Sequence, residues 1–291
     1  MEVPVNGTRL FIDVTGMSHK PVGMELEERP TVIVIHGGPG MDHSLLKPLF
    51  APMADLAQVI WLDLRGHGRS AETPASEWTL NQWAADLILL CEGLGIKRPV
   101  LAGASVGGTA AALAAAQRPD LIGALILTST PVGHRLDQML EVFGRLGGES
   151  ARETARRYWQ EPDDAARLEY QSECLPLYAR EPLAPEVMAR AIVRPQIGVE
   201  FYASDEWRAF DLCTHASRIS CPTLILSGED DPIAPIAAAR ELLEALPSGC
   251  GTLVSIPGGR HVLFQDAPDV LRQQAAEFVE TWWSEHSRGE T

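Results

Sequence analysis

The chain has 291 residues, 45% of them hydrophobic and 22% charged, enough apolar material for a large buried core and too little charge for a disordered tail. Its formal net charge is -15, from 24 Lys and Arg against 39 Asp and Glu, a field that repels phosphate backbones and anionic lipid and so argues against nucleic-acid and membrane partners. Five cysteines, an odd number without a CxxC pair, argue against a disulfide framework or a zinc ribbon. The N-terminal residues show no basic segment followed by an apolar one, and no run approaches the length of a membrane span. A soluble cytoplasmic protein acting on a small molecule is expected, with self-association into a homo-oligomer left open.

In chain order, Arg9–Val14 reads as an early strand. Thr31–Ile35 (TVIVI) is a continuous apolar run, as expected of a strand covered on both faces. Val59–Leu62, Pro99–Ala102, Ala124–Leu127, Thr223–Leu226 and Thr252–Ile256 are further strands. Leu80, Trp83, Leu87, Leu90, Cys91 and Leu94 recur at helical spacing, predicting an amphipathic helix over Leu80–Leu94 with Thr79 as N-cap and Cys91 as a buried, inert thiol. Thr109–Gln117, Ala237–Leu246 and Val270–Trp283 are the other predicted helices. This alternation predicts an α/β fold with a mostly parallel sheet and helices on both faces. From 131 to 218 no convincing strand occurs. The expected organisation is therefore a core from 1 to 130 and 219 to 291, with a helical cap inserted over 131 to 218.

The strongest local signal is Gly103-Ala104-Ser105-Val106-Gly107, between an apolar strand and a helix. This is the context of a nucleophile elbow, a tight turn that forces the serine into a strained conformation at a helix N-terminus, where the dipole favours developing negative charge. The second signal is His36-Gly37-Gly38-Pro39-Gly40, straight after TVIVI. A tetrahedral oxyanion needs two backbone N–H groups aimed at one point, and those of Gly38 and Val106 are the candidates. A serine hydroxyl also needs a base. His261 lies in a glycine-containing loop after the last strand, and the chain order serine, acid, histidine is that of α/β-hydrolases. His36 and His67 read as braces of glycine-rich loops. His43 lies near the oxyanion loop, where a substrate role stays open, and the remaining histidines have no supporting context. The acid should follow a late strand. Glu229, Asp230 and Asp231 all stand after Gly228; the tight turn best presents Asp231, with Asp230 in reserve. No metal-ligand cluster or nucleotide-binding loop is present, so no cofactor and no metal is implied.

HGGPG, the segment Asp63-Leu64-Arg65-Gly66-His67-Gly68-Arg69-Ser70, the serine elbow, CPTLILSGEDDP and the late GGRH together resemble the proline iminopeptidases and their relatives among α/β-hydrolases, over almost the whole chain. The resemblance implies the α/β-hydrolase fold and a Ser105–His261–Asp231 triad. It also implies that Glu200, where a cap glutamate is expected, contacts substrate; Gly37, Phe201 and Trp207 are further candidate substrate contacts. Two positions depart from the pattern. Val106 stands where these aminopeptidases carry tryptophan, and Pro232 where some relatives carry a second amine-binding glutamate. Ester and lactone hydrolases share the branch, and the departures favour them over an aminopeptidase. A C–C bond hydrolase and, from another class, a small-molecule receptor on a hydrolase fold are the competing readings.

Overall fold

The apolar runs become neighbouring strands of one sheet. The computed structural model describes residues 1–161, 163–183 and 185–286. Ten strands occur among them: β1 (Glu2–Val5), β2 (Thr8–Thr15), β3 (His19–Val22), β4 (Glu25–Glu28), β5 (Thr31–Ile35), β6 (Gln58–Asp63), β7 (Val100–Ala104), β8 (Ala124–Thr128), β9 (Thr223–Gly228) and β10 (Gly251–Ile256). Eight form a sheet in the order β1-β2-β6-β5-β7-β8-β9-β10, while β3 and β4 pair as a separate hairpin. β1 and β2, and β2 and β6, are antiparallel; the pairs from β6 to β10 are parallel.

Side chains on a strand alternate between faces, and β5 shows what that does here. Ile33 and Ile35 join the core beneath the helices Leu80–Leu94, Val106–Gln117 and Ile236–Ala245. Val32 and Val34 join the core on the opposite face, with Trp61 and the helix Pro268–His286. All four are fully buried, which is why the strand carries no polar residue after Thr31. The predicted helix Leu80–Leu94 forms with those bounds, and the Thr79 hydroxyl accepts the Gln82 N–H at 3.1 Å. All five cysteines are free thiols, and burial pushes the Cys91 thiol up to about 12.

Between β8 and β9 the described residues form helices and turns, with one isolated bridge, Gly133 to Asp211. Leu136–Gln160 breaks at Gly148, where φ is 75°. Met139, Phe143, Ala155, Tyr170 and Cys174 form a small separate cluster here, which Ile233 from the loop after β9 joins. Among the described residues no helix is long and apolar enough to cross a membrane.

The strand order fixes where a site can form. From β5 the chain moves to β6 on one side, then returns past β5 to β7 on the other. Loops leaving the C-terminal ends of β5 and β7 therefore diverge, and such switch points leave a crevice at that edge. The loop after β5 begins at His36; the turn after β7 holds Ser105.

Candidate active site

Ser105 follows β7 immediately and opens the helix Val106–Gln117. Its φ is 50° and its ψ -130°, a conformation that costs a non-glycine residue about 1–3 kcal/mol and persists only where the surroundings impose it. Its N–H donates to the Thr128 carbonyl at 2.9 Å, and its own carbonyl accepts the Gly108 N–H at 2.8 Å. Close approach explains two of the glycines. A Cβ at Gly107 would run into the His36 carbonyl oxygen, and one at Gly37 would stand 2.7 Å from both the Ala104 carbonyl oxygen and the Ser105 Cβ. The elbow and the loop after β5 are thus in backbone contact.

The Ser105 hydroxyl donates to His261 Nε2 at 3.1 Å. On the other side of the ring, Nδ1–H faces both oxygens of Asp231, each at 3.0 Å. Asp231 has no exposed surface, Ser105 keeps 7% and the His261 side chain 13%. Asp231 Oδ1 also accepts the Ile233 and Ala234 N–H groups, both at 2.8 Å, which fixes the carboxylate before the histidine reaches it. Asp230 points elsewhere and pairs with Arg145. The carboxylate of Glu229 accepts from Ser255 at 2.5 Å. Of the three acids after Gly228, only Asp231 meets the histidine.

The Gly38 and Val106 N–H groups donate to no acceptor among the described residues. Gly38 has φ 53°, and the Met41 N–H donates to its carbonyl at 2.9 Å. Gly37, Val106 and Gly107 line a crevice too narrow to admit a water molecule, together with His36, Pro39, Leu64, His67 and Trp83.

His36 and His67 brace loops. His36 donates from Nδ1 to the Gly37 carbonyl at 3.1 Å and accepts the Leu64 N–H at Nε2 at 3.0 Å. His67 donates from Nδ1 to the Arg65 carbonyl at 2.8 Å. Burial holds both rings below the usual histidine range, His67 at about 3 with the neighbouring His36 adding to the effect. His43 is buried and donates to Asp63 at 2.6 Å, which makes it part of the loop network. Burial raises the Asp63 carboxyl, but the bonds from His43 and Arg69 outweigh it and hold the group at about 2. Arg65 is clamped by both oxygens of Asp86, at 2.7 Å each, and by Glu77 at 2.6 Å. The segment from Asp63 to Ser70 is therefore a buried electrostatic brace behind the site.

The candidate substrate contacts divide. Gly37 lies against the nucleophile. Glu200 is exposed on the helix Pro195–Ala203 and accepts from Gln196 at 2.7 Å. Ile197 and Phe201 are the buried face of that helix, and this phase turns Glu200 to solvent. Glu200 thus stands on the solvent side of its helix, held by a bond within the same helix. Phe201 and Trp207 are core filler, 1% and 4% exposed, with Phe201 packed 5.0 Å from Trp83 and 5.2 Å from Trp207 between ring centroids. The aromatic residue that reaches the triad is Tyr178, whose ring stands edge-on to His261 at 5.5 Å. No local signal in the sequence marks Tyr178, because its approach to a histidine so far along the chain is set by packing.

Among the described residues no group of three or more His, Cys, Asp or Glu could hold a metal ion. What the arrangement can do is remove a proton from Ser105 with a base whose second nitrogen is held by a buried carboxylate.

Known proteins share this architecture. The chain is 27% identical over 277 residues to a RutD protein of Caulobacter sp. (strain K31), whose name proposes carbamate hydrolysis; the match covers 91% of this chain and 96% of that protein. It is 27% identical over 289 residues to the proline iminopeptidase of Lactiplantibacillus plantarum, covering 91% of this chain and 94% of the relative. A solved thermophilic esterase from Thermogutta terrifontis superposes with a TM-score of 0.71 at 26% identity, over 97% of this chain and 99% of the other. Residues 30–268 match the alpha/beta hydrolase fold family, and the chain belongs to that family as a hydrolase.

Proposed function

We propose that this hydrolase cleaves a carboxylic ester, lactone or amide bond of a small substrate through an acyl-enzyme on Ser105, with esters and lactones its principal substrates. The observation that carries the reading is the continuous chain from Ser105 Oγ through both nitrogens of His261 to buried Asp231. Oγ attacks the substrate carbonyl as His261 Nε2 takes its proton. Asp231 holds the ring orientation and stabilises the imidazolium. The oxyanion forms against the Gly38 and Val106 N–H groups, which have no other acceptor among the described residues. Collapse expels the leaving group, which receives the proton from His261. Water, deprotonated by the same nitrogen, then attacks the acyl-enzyme and frees Ser105.

Val106 and Pro232, and a Glu200 turned to solvent, favour an ester or lactone over a substrate held by a free amine. The helical insertion is proposed to act as a cap over Ser105, with the Tyr178 ring edge-on to His261. Likeness to a proline iminopeptidase supports a second reading, release of an N-terminal residue. A panel of nitrophenyl esters and lactones beside amino-acid nitroanilides, proline included, separates the two. The expected result is a burst of nitrophenol followed by steady turnover on esters, with no release from nitroanilides. Turnover of nitroanilides alone would establish the aminopeptidase, and binding without turnover of any substrate would leave only a receptor.

A further inference from the structure

We infer that the segment Tyr178–Arg180 of the helical insertion holds His261 in its working position, and that Asp266 is the positioning residue that fastens the two together. This rests on the reading of Ser105, His261 and Asp231 as the reacting triad.

His261 lies in the loop between β10 and the short helix Leu263–Asp266. A loop residue has soft backbone angles, and something must fix them if Nε2 is to stay on Ser105. Both chain neighbours of His261 are tied to the insertion. Arg260 Nη1 donates to the Ala179 carbonyl at 2.8 Å, and the Val262 N–H donates to the Tyr178 carbonyl at 2.9 Å. The histidine is therefore suspended between two consecutive carbonyls of a segment about eighty residues earlier in the chain.

Asp266 completes the tie. Its Oδ1 accepts the Arg180 N–H and its Oδ2 the Arg260 N–H, both at 2.9 Å. One carboxylate thus holds one backbone amide from each partner, and bonds to an ionised acceptor are the strong kind. Tyr178 adds a side-chain contact. Its ring meets the imidazole edge-on at 82°, while its hydroxyl lies 2.6 Å from that of Tyr170. Tyr170 is buried in the cluster formed by the insertion and Ile233, and receives the Trp159 Nε1–H at 3.3 Å. A displacement of the insertion would reach the base through the ring, and through the backbone on both sides of it. Ser105, by contrast, is held from the sheet, its N–H donating to the Thr128 carbonyl of β8 at 2.9 Å.

The test compares Asp266→Ala and Asp266→Asn with wild type and with Asp269→Ala, an exposed carboxylate paired with Arg272 at the surface. Two quantities are read: the rate at which a small fluorophosphonate labels Ser105, and kcat and KM for a nitrophenyl ester. Misplacing a reacting group by about 1 Å costs about a hundredfold in rate. Asp266→Ala should lose tenfold to about a hundredfold in both kcat and labelling rate, with KM nearly unchanged. Asp266→Asn keeps a carbonyl oxygen for one of the two donors and should fall between it and wild type, while Asp269→Ala should match wild type. Arg260→Met removes only the bond to Ala179 and should slow labelling in the same way; it decides the matter if Asp266→Ala does not fold. Labelling at the wild-type rate in the folded Asp266 and Arg260 variants would overturn the inference alone. A wild type that does not label Ser105 would remove the triad reading, and the inference with it.

Discussion

Replacing Asp231 by asparagine should disable the enzyme while leaving it folded. In the native site Oδ1 receives two backbone N–H groups at 2.8 Å, and both oxygens face His261 Nδ1 at 3.0 Å. Asparagine keeps one carbonyl oxygen, and the two backbone donors will claim it. Its NH₂ group then faces Nδ1, which must become the acceptor, so the ring proton moves to Nε2. That nitrogen would then present an N–H to Ser105 where a lone pair is needed. In a serine triad the wrong tautomer costs about ten-thousandfold in kcat, about 5.4 kcal/mol. Stability should fall by no more than about 1 kcal/mol, because the buried oxygen stays satisfied. Asp230→Asn is the control. It loses a partly exposed pair with Arg145, worth about 0–1 kcal/mol, and keeps its backbone bond to the Gly259 carbonyl at 2.9 Å. The assay is steady-state ester hydrolysis on thermally matched preparations. Comparable losses in both variants, or a greater loss in Asp230→Asn, would refute the reasoning.

Two further outcomes follow from the same contacts. Gly107→Ala would press a methyl group into the His36 carbonyl oxygen, with the Ile35 carbonyl oxygen 2.8 Å away, so neither neighbour is a side chain that can turn aside. It should cost about 3 kcal/mol, seen as a lower urea midpoint, together with lost activity; a midpoint equal to wild type would contradict the packing. Stability should also fall in acid. His67 is held neutral down to about 3 from an ordinary 6.5, and a proton that the unfolded chain accepts and the folded chain refuses favours unfolding. Its contribution, on the order of a few kcal/mol, is lost as pH falls from about 6.5 toward 3, and that of Asp63 from about 3.8 toward 2. Urea midpoints unchanged between neutral pH and about 4 would rule this out.

Much of the fold was legible because burial leaves a mark on composition. A strand covered on both faces must be apolar over its central residues, and Val32–Ile35 and Leu224–Leu226 are. The hairpin β3–β4 was missed for the converse reason: its strands, HKPV and ELEE, are exposed along their whole length and carry no alternation. β1 was missed as a short edge strand containing Pro4. The helix after the elbow was expected to start at Thr109 but starts at Val106, since two glycines hide a helix that begins at the strained serine. In the site, Ser105, Asp231 and His261 could be read because each stands at a strand end with turn chemistry around it. Phe201 and Trp207 could not be sorted from pocket wall, as an aromatic side chain fills a core and lines a cleft equally well. Ile197 and Phe201, four apart, mark the buried side of the helix Pro195–Ala203 and leave Glu200 on its exposed side. Asp266 and Tyr178 carry no local signal, since their partners are set by packing between distant segments.

The most direct test of the central claim is covalent. Wild-type protein is treated with a fluorophosphonate, digested and mapped by mass spectrometry, with ester hydrolysis followed in parallel, and Ser105→Ala is carried through both. The expected result is one equivalent of label on the Ser105 peptide, loss of hydrolysis in step with labelling, and roughly a millionfold lower turnover in a folded Ser105→Ala variant. Hydrolysis that survives in Ser105→Ala, or that persists in wild type after Ser105 is fully labelled, would contradict it.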